Sequence, residues 1–109
     1  MFDLSVQQKY FDAIKADKKD IEGRLAKDKY RRLQVGSPII FYNNERTMQI
    51  EKQIVSLRIY KSFRDAFKYE DFKKAVPDAK NIDDAVAVYE AFYPEEEQLK
   101  FGVIIIKLA

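Results

Sequence analysis

The chain has 109 residues with a formal net charge of +2; 47% are hydrophobic, 35% are charged, and 15 are aromatic (8 Phe and 7 Tyr). That length and content fit one domain spanning residues 1–109 with one buried core, and they exclude a disordered chain. No Cys and no His are present, which excludes disulfides, thiolate nucleophiles, cysteine-ligated zinc and imidazole bases.

Any chemistry must therefore come from Lys, Arg, Asp, Glu, Ser, Thr or Tyr, and the lack of paired-carboxylate loop motifs predicts no metal and no cofactor. No apolar run approaches the length of a bilayer span, and "MFDLSVQQ" lacks a basic n-region and an apolar h-region. A cytoplasmic protein is expected. Absent Cys, scarce Met and abundant Lys and Glu resemble a heat-resistant composition. Charge is unevenly spread: residues 1–61 carry 13 basic against 8 acidic side chains, and residues 62–109 carry 7 against 10. The first half is the better partner for an anion.

Phe2, Leu4 and Val6 alternate with polar residues and predict a short strand, after which Ser5 and Gln8 form a capping-box pattern opening a helix with Tyr10, Phe11 and Ile14 on one face. "KADKKDIEGRL" follows, seven charges in eleven residues. From Asp20 to Leu25 it alternates with the period of a strand, so Glu22 and Arg24 share a face. A turn of helix is expected around Tyr30 and Leu33, ended by Gly36, and "PIIFYN" reads as a buried strand with Pro38 at its start.

In "TMQIEKQIVSLRIY" the alternation slips between Ile54 and Leu57, which predicts one long strand with a bulge or bend. Two helices should follow: one carries Phe63, Phe67 and Phe72 as core residues, and the other runs from Ile82 to Phe92, capped by Asn81 or Asp83 and closed before Tyr93-Pro94. Glu95 to Glu97 reads as a solvated loop. "FGVIIIKLA" is apolar on both faces, as an interior strand should be. Long strands interrupted by helices predict an α+β fold built on a small curled sheet or barrel.

Lys19-x-x-Glu22-x-Arg24, preceded by a strand and a helix and followed by "LQVGSPIIFYN", resembles the ASCH domain of the PUA-like superfamily, whose pattern has the form G-x-K-x-x-E-x-R. Asp17 stands where the pattern has Gly, and Ser37 follows Val35-Gly36 where Asp is usual. The resemblance implies a PUA-like mixed β-barrel with inserted helices and a cleft, and RNA, a nucleoside or a nucleotide as partner. One branch of similar size hydrolyses N4-acetylcytidine with a Lys, a Thr nucleophile and an acidic partner. Laid onto this chain these fall on Lys19, Glu22 and Asp78, so Glu22 would act as a base on water in place of the hydroxyl.

On spacing alone Lys19, Glu22 and Arg24 form either a structural ion-pair cluster or a site. With the resemblance they are the expected site: Arg24 suits bidentate contact with a phosphate, Lys19 a movable point charge, and Glu22 an acceptor for a base edge or a water. Tyr30 and Arg31, within the basic stretch Lys27 to Arg32, would stack a base and track a backbone, or else form a solvated helix face. Tyr42 and Asn43 end the "IIFY" strand, where Asn43 would read a base edge or build a turn.

Overall fold

A computed structural model describes residues 2–109. In chain order the elements are β1 (Phe2–Val6), α1 (Gln8–Lys15), β2 (Ile21–Leu25), α2 (Asp28–Arg31), β3 (Pro38–Asn43), β4 (Gln49–Tyr60), α3 (Phe63–Ala66), α4 (Phe72–Ala75), α5 (Ile82–Glu90), α6 (Glu95–Phe101) and β5 (Val103–Leu108). The five strands form one mixed sheet in the order β1-β3-β4-β5-β2. Only β1 and β3 run parallel.

The curl of the sheet originates in β4, whose first half, Gln49 to Gln53, pairs with β3, and whose second half, Ile54 to Tyr60, pairs with β5. The register shifts between Ile54 and Ser56. An extra residue there bends and twists the strand, as the slipped alternation predicts, and the sheet becomes an α+β half-barrel whose edge strands β1 and β2 are not paired with each other.

The interior strand β5 buries both faces. Val103 and Ile105 join Ile21, Leu25, Phe63, Phe67, Val86 and Tyr89 in one cluster, while Ile104, Ile106 and Leu108 join Leu4, Phe11, Ile14, Phe41 and Ile54 in another. Its apolar run is the consequence of covering both sides of the sheet.

Local details depart from the sequence reading in four places. Gln7 rather than Ser5 precedes α1, with no side-chain cap, because Ser5 is still paired in β1 opposite Tyr42. The helix at Tyr30 ends at Arg31, and Gly36 (φ 89°) instead sits in a turn closed by Ser37 N–H donating to Gln34 O. Four helices, not two, lie between β4 and β5. Glu95 to Glu97 form the first turn of α6 rather than a loop, where three carboxylates complement the positive end of the helix dipole.

Candidate functional site

The polar centre is held by β2, whose alternation places Glu22 and Arg24 toward one cleft with Lys19 just before the strand. Lys19 and Glu22 are only 2% and 3% exposed. The Lys19 ammonium donates to Ile21 O and Ala75 O, both at 2.6 Å, and lies 3.8 Å from Glu22 Oε1. Two short bonds to backbone make it a fixed strut between β2 and α4, not a movable point charge. Burial pulls its pKa below the ordinary lysine value, with Glu22 opposing.

Glu22 gathers four polar neighbours on Oε1: Gly23 N–H donates at 2.8 Å, Tyr89 O–H donates at 3.2 Å, and Arg24 and Lys19 lie at 3.5 and 3.8 Å. Oε2 has no such contact among the described residues. Desolvation pushes the carboxyl up, but Lys19, then Arg24, the Gly23 N–H and the Tyr89 hydroxyl outweigh it and hold the pKa below the ordinary range. Glu22 is therefore an ionised acceptor.

Arg24 is held loosely. Its guanidinium reaches Gly23 O at 3.4 Å, and Tyr93 Oη, Ser5 O and Glu22 Oε1 all at 3.5 Å. These are long for charged bonds, which run near 2.8 Å, so its donors are free to shorten onto a ligand. Burial works against its charge, and Glu22 more than restores it, raising the pKa.

Gly23 is required by close approach. A Cβ there would lie 2.6 Å from Phe63 Cε1 and 3.2 Å from Tyr89 Cε1, and those rings stack at 4.4 Å. The missing side chain lets Tyr89 come down onto the strand and reach Glu22. Burial first, then the Glu22 charge, keeps the Tyr89 hydroxyl protonated with a pKa well above its ordinary value.

Above this floor opens a cleft of about 500 Å³, walled by Tyr10, Tyr30, Tyr89, Phe92 and Tyr93 and edged by Lys29 and Asn44. Among the described residues no group of three or more carboxylates is placed to hold a metal ion. An ionised acceptor, a loosely held arginine and aromatic walls suit a flat ligand that offers a donor edge and carries negative charge.

Of the residues expected from sequence, Lys19, Glu22, Arg24 and Tyr30 meet in this cleft; four others do not. Asp78 lies at the surface, paired with Lys9 at 3.1 Å. Arg31 donates to Ala26 O at 2.6 Å and Phe101 O at 3.2 Å, locking α2 against the end of α6. Tyr42 lies 3.9 Å beneath the Arg46 guanidinium. Asn43 is buried and builds the β3–β4 turn, accepting from Thr47 N–H and Met48 N–H and donating to Thr47 Oγ1 and Gln8 Oε1. Its neighbour Asn44 faces the cleft instead.

The sequence reading missed the walls: Tyr10, Tyr89, Phe92 and Tyr93. A usable signal was the spacing of Tyr89 and Tyr93, one helical turn apart. At the two departures from the motif the backbone is informative. Asp17 adopts φ 59°, the left-handed conformation that glycine takes without strain, and bonds Lys52 at 2.9 Å. Ser37 follows the left-handed Gly36 in its turn.

A family model described as the ASCH domain matches residues 4–109. Among solved structures, that of PH0355, a hypothetical protein, is 33% identical, covers 98% of this chain and 95% of its own, and superposes with a TM-score of 0.85. PF0455 from Pyrococcus furiosus is 30% identical over 98% and 94% of the two chains, with a TM-score of 0.75. The ASCH protein from Zymomonas mobilis shares the fold at 12% identity and a TM-score of 0.64, with 98% of this chain matching 65% of that one. A comparison with proteins of curated function found no match. The half-barrel, the Lys19, Glu22 and Arg24 floor and a family match over nearly every residue lead to one assignment: this chain belongs to the ASCH domain family, of PUA-like fold.

Proposed function

We propose that the cleft recognises a nucleobase and its phosphate within single-stranded RNA or a nucleotide. The observation carrying this is the pairing of an unengaged Glu22 Oε2 with the loosely held Arg24 at the base of an aromatic slot. Ionised Glu22 accepts from an amino or imino edge, Arg24 donates to a base carbonyl or a phosphate oxygen, and tyrosine rings sandwich the base. Base stacking on aromatics adds roughly 1–3 kcal/mol per base, and the basic first half of the chain adds attraction that salt screens. Family membership agrees with an RNA or nucleotide partner.

Turnover of N4-acetylcytidine is the alternative. Its required acidic partner would be Asp78, which stands outside the cleft on Lys9, and no hydroxyl occupies the position of Glu22. Binding is the better supported reading.

The test is fluorescence anisotropy with a short unstructured RNA, together with thermal shift against nucleosides and nucleotides. Affinity should fall as salt rises, and Arg24→Gln should weaken binding about tenfold or more. Indifference to Arg24→Gln at low salt overturns the proposal. Release of cytidine from N4-acetylcytidine would favour the alternative.

A further inference from the structure

A second groove of about 450 Å³ adjoins the cleft, lined by Phe2, Lys29, Arg32, Gln34, Ser37 and Pro38 together with the Leu33 side chain. Lys29 lines both cavities, and so forms the ridge between them. Its ammonium sits 5.6 Å from the Phe2 ring and 5.4 Å from the Tyr30 ring, and those rings meet at 5.6 Å. Phe2 thus faces the groove, while Tyr30 faces the cleft behind the same ridge.

The charge of this groove is one-sided. Its lining holds two cations and no carboxylate, and neither Lys29 nor Arg32 has an ion-pair partner among the described residues. Arg31 and Arg32 are both exposed, but Arg31 spends Nε and Nη2 on backbone carbonyls, whereas the Arg32 side chain makes no hydrogen bond among the described residues. Aromatic surface beside unpaired cations is what a nucleotide of a single strand requires: stacking for the base and point charges for the phosphate.

We infer that this groove binds the nucleotide adjacent to the one in the cleft, so that the ligand is a strand of at least two nucleotides and not a free nucleoside or mononucleotide. Lys29, on the ridge, neutralises the phosphate joining the two nucleotides. Arg32 takes the next phosphate, and Phe2 offers its ring to the second base. The inference rests on the cleft being a nucleotide site, and it adds the class of that ligand.

Arg32 and Gln34 line the groove but not the cleft, so they separate the two ideas. Binding of a mononucleotide panel and of a five-residue unstructured RNA is measured by calorimetry for the wild type, Arg32→Glu, Gln34→Glu and Arg24→Gln, with circular dichroism as the check on folding. The RNA should bind at least tenfold tighter than any mononucleotide. Arg32→Glu should remove most of that gain and lower the salt slope by about 0.7, the value for one single-strand phosphate contact, and Gln34→Glu should remove part of it. Neither should change mononucleotide affinity. Arg24→Gln should weaken both ligands.

If the RNA gains nothing over the mononucleotide, or Arg32→Glu leaves RNA affinity and slope unaltered while Arg24→Gln still weakens both, the groove is not a subsite and the cleft reading stands alone. If Arg24→Gln has no effect on either ligand, the cleft reading fails, and this inference falls with it.

Discussion

The Tyr89 hydroxyl donates to Glu22 Oε1 across 3.2 Å and is itself approached by the Lys19 ammonium at 3.4 Å. One phenol on α5 thus joins the two buried charges of β2 and its approach. In a buried, low-dielectric setting each of these contacts is strong, and a missing member leaves an unpaired polar group.

Tyr89→Phe keeps the ring stacked on Phe63 at 4.4 Å and deletes only the hydroxyl. Glu22 then loses one of the donors on its Oε1. The expected loss is about 1.5–3 kcal/mol, the range for a hydrogen bond to a charged group, measured by urea unfolding. An unchanged midpoint would show that the hydroxyl does not support the carboxylate.

Gly23→Ala is expected to cost about 1–3 kcal/mol, typical of overpacking. The new methyl would fall 2.6 Å from Phe63 Cε1, and Phe63 is wholly buried between Tyr89, Phe67 and Tyr93. Neither backbone nor ring has room to yield. Adding Phe63→Leu should recover part of the loss, so the pair would be non-additive in a double-mutant cycle. Strict additivity would mean the strain lies elsewhere.

Much of this architecture is legible along the chain where one physical pattern dominates. Strand β2 shows its alternation, β5 its two apolar faces, and β4 its slipped register. The short helices are a different matter. Phe63, Phe67 and Phe72 suggest one continuous helix, but α3 and α4 are single turns, capped separately by Ser62 and Asp71 and held by the core they fill.

The site divides in the same way. Lys19, Glu22 and Arg24 are local in sequence, so their spacing reveals them. The cleft walls come from α1, α2, α5 and the turn that follows α5, and only the tertiary fold brings those rings together. Asn43 and Arg31 show the converse, since a polar residue beside a site cannot be told from one that builds a turn or locks a helix until its partners are visible.

Lys19→Met separates a strut from a ligand contact. Methionine keeps the unbranched apolar stem of the side chain but leaves Ile21 O and Ala75 O without their donor and Glu22 with one cation fewer. Breaking a buried pair in this way typically costs about 3–5 kcal/mol. A loss of that size in urea unfolding, without any ligand present, is expected. Full stability with lost ligand binding would assign Lys19 to the ligand instead.

Glu22→Gln tests the charge of the carboxylate through pH. The folded-state pKa of Glu22 lies below its ordinary value of 4.5, so at acid pH the unfolded chain binds the proton more readily than the folded one. Its contribution to stability is fully present above about 4.5 and is lost as pH falls through the lower folded value. Asp17 and Asp78 are also depressed, by Lys52 and Lys9, but both are exposed and salt screens them. At neutral pH Glu22→Gln should be less stable by about 3 kcal/mol, because Lys19 and Arg24 stay buried without their counter-charge. As pH falls, Glu22 of the wild type gains a proton and comes to resemble the variant. The stability gap between the two should therefore narrow through the acid range in urea titrations at high salt. A gap that stays constant through the acid range would mean that the folded and unfolded pKa values of Glu22 coincide, so that the buried cations do not hold the carboxylate ionised. A wild type that instead gains on the variant as pH falls from neutral toward about 4.5 would mean that Glu22 is neutral in the native state, and the cleft would then present a donor where an acceptor is expected.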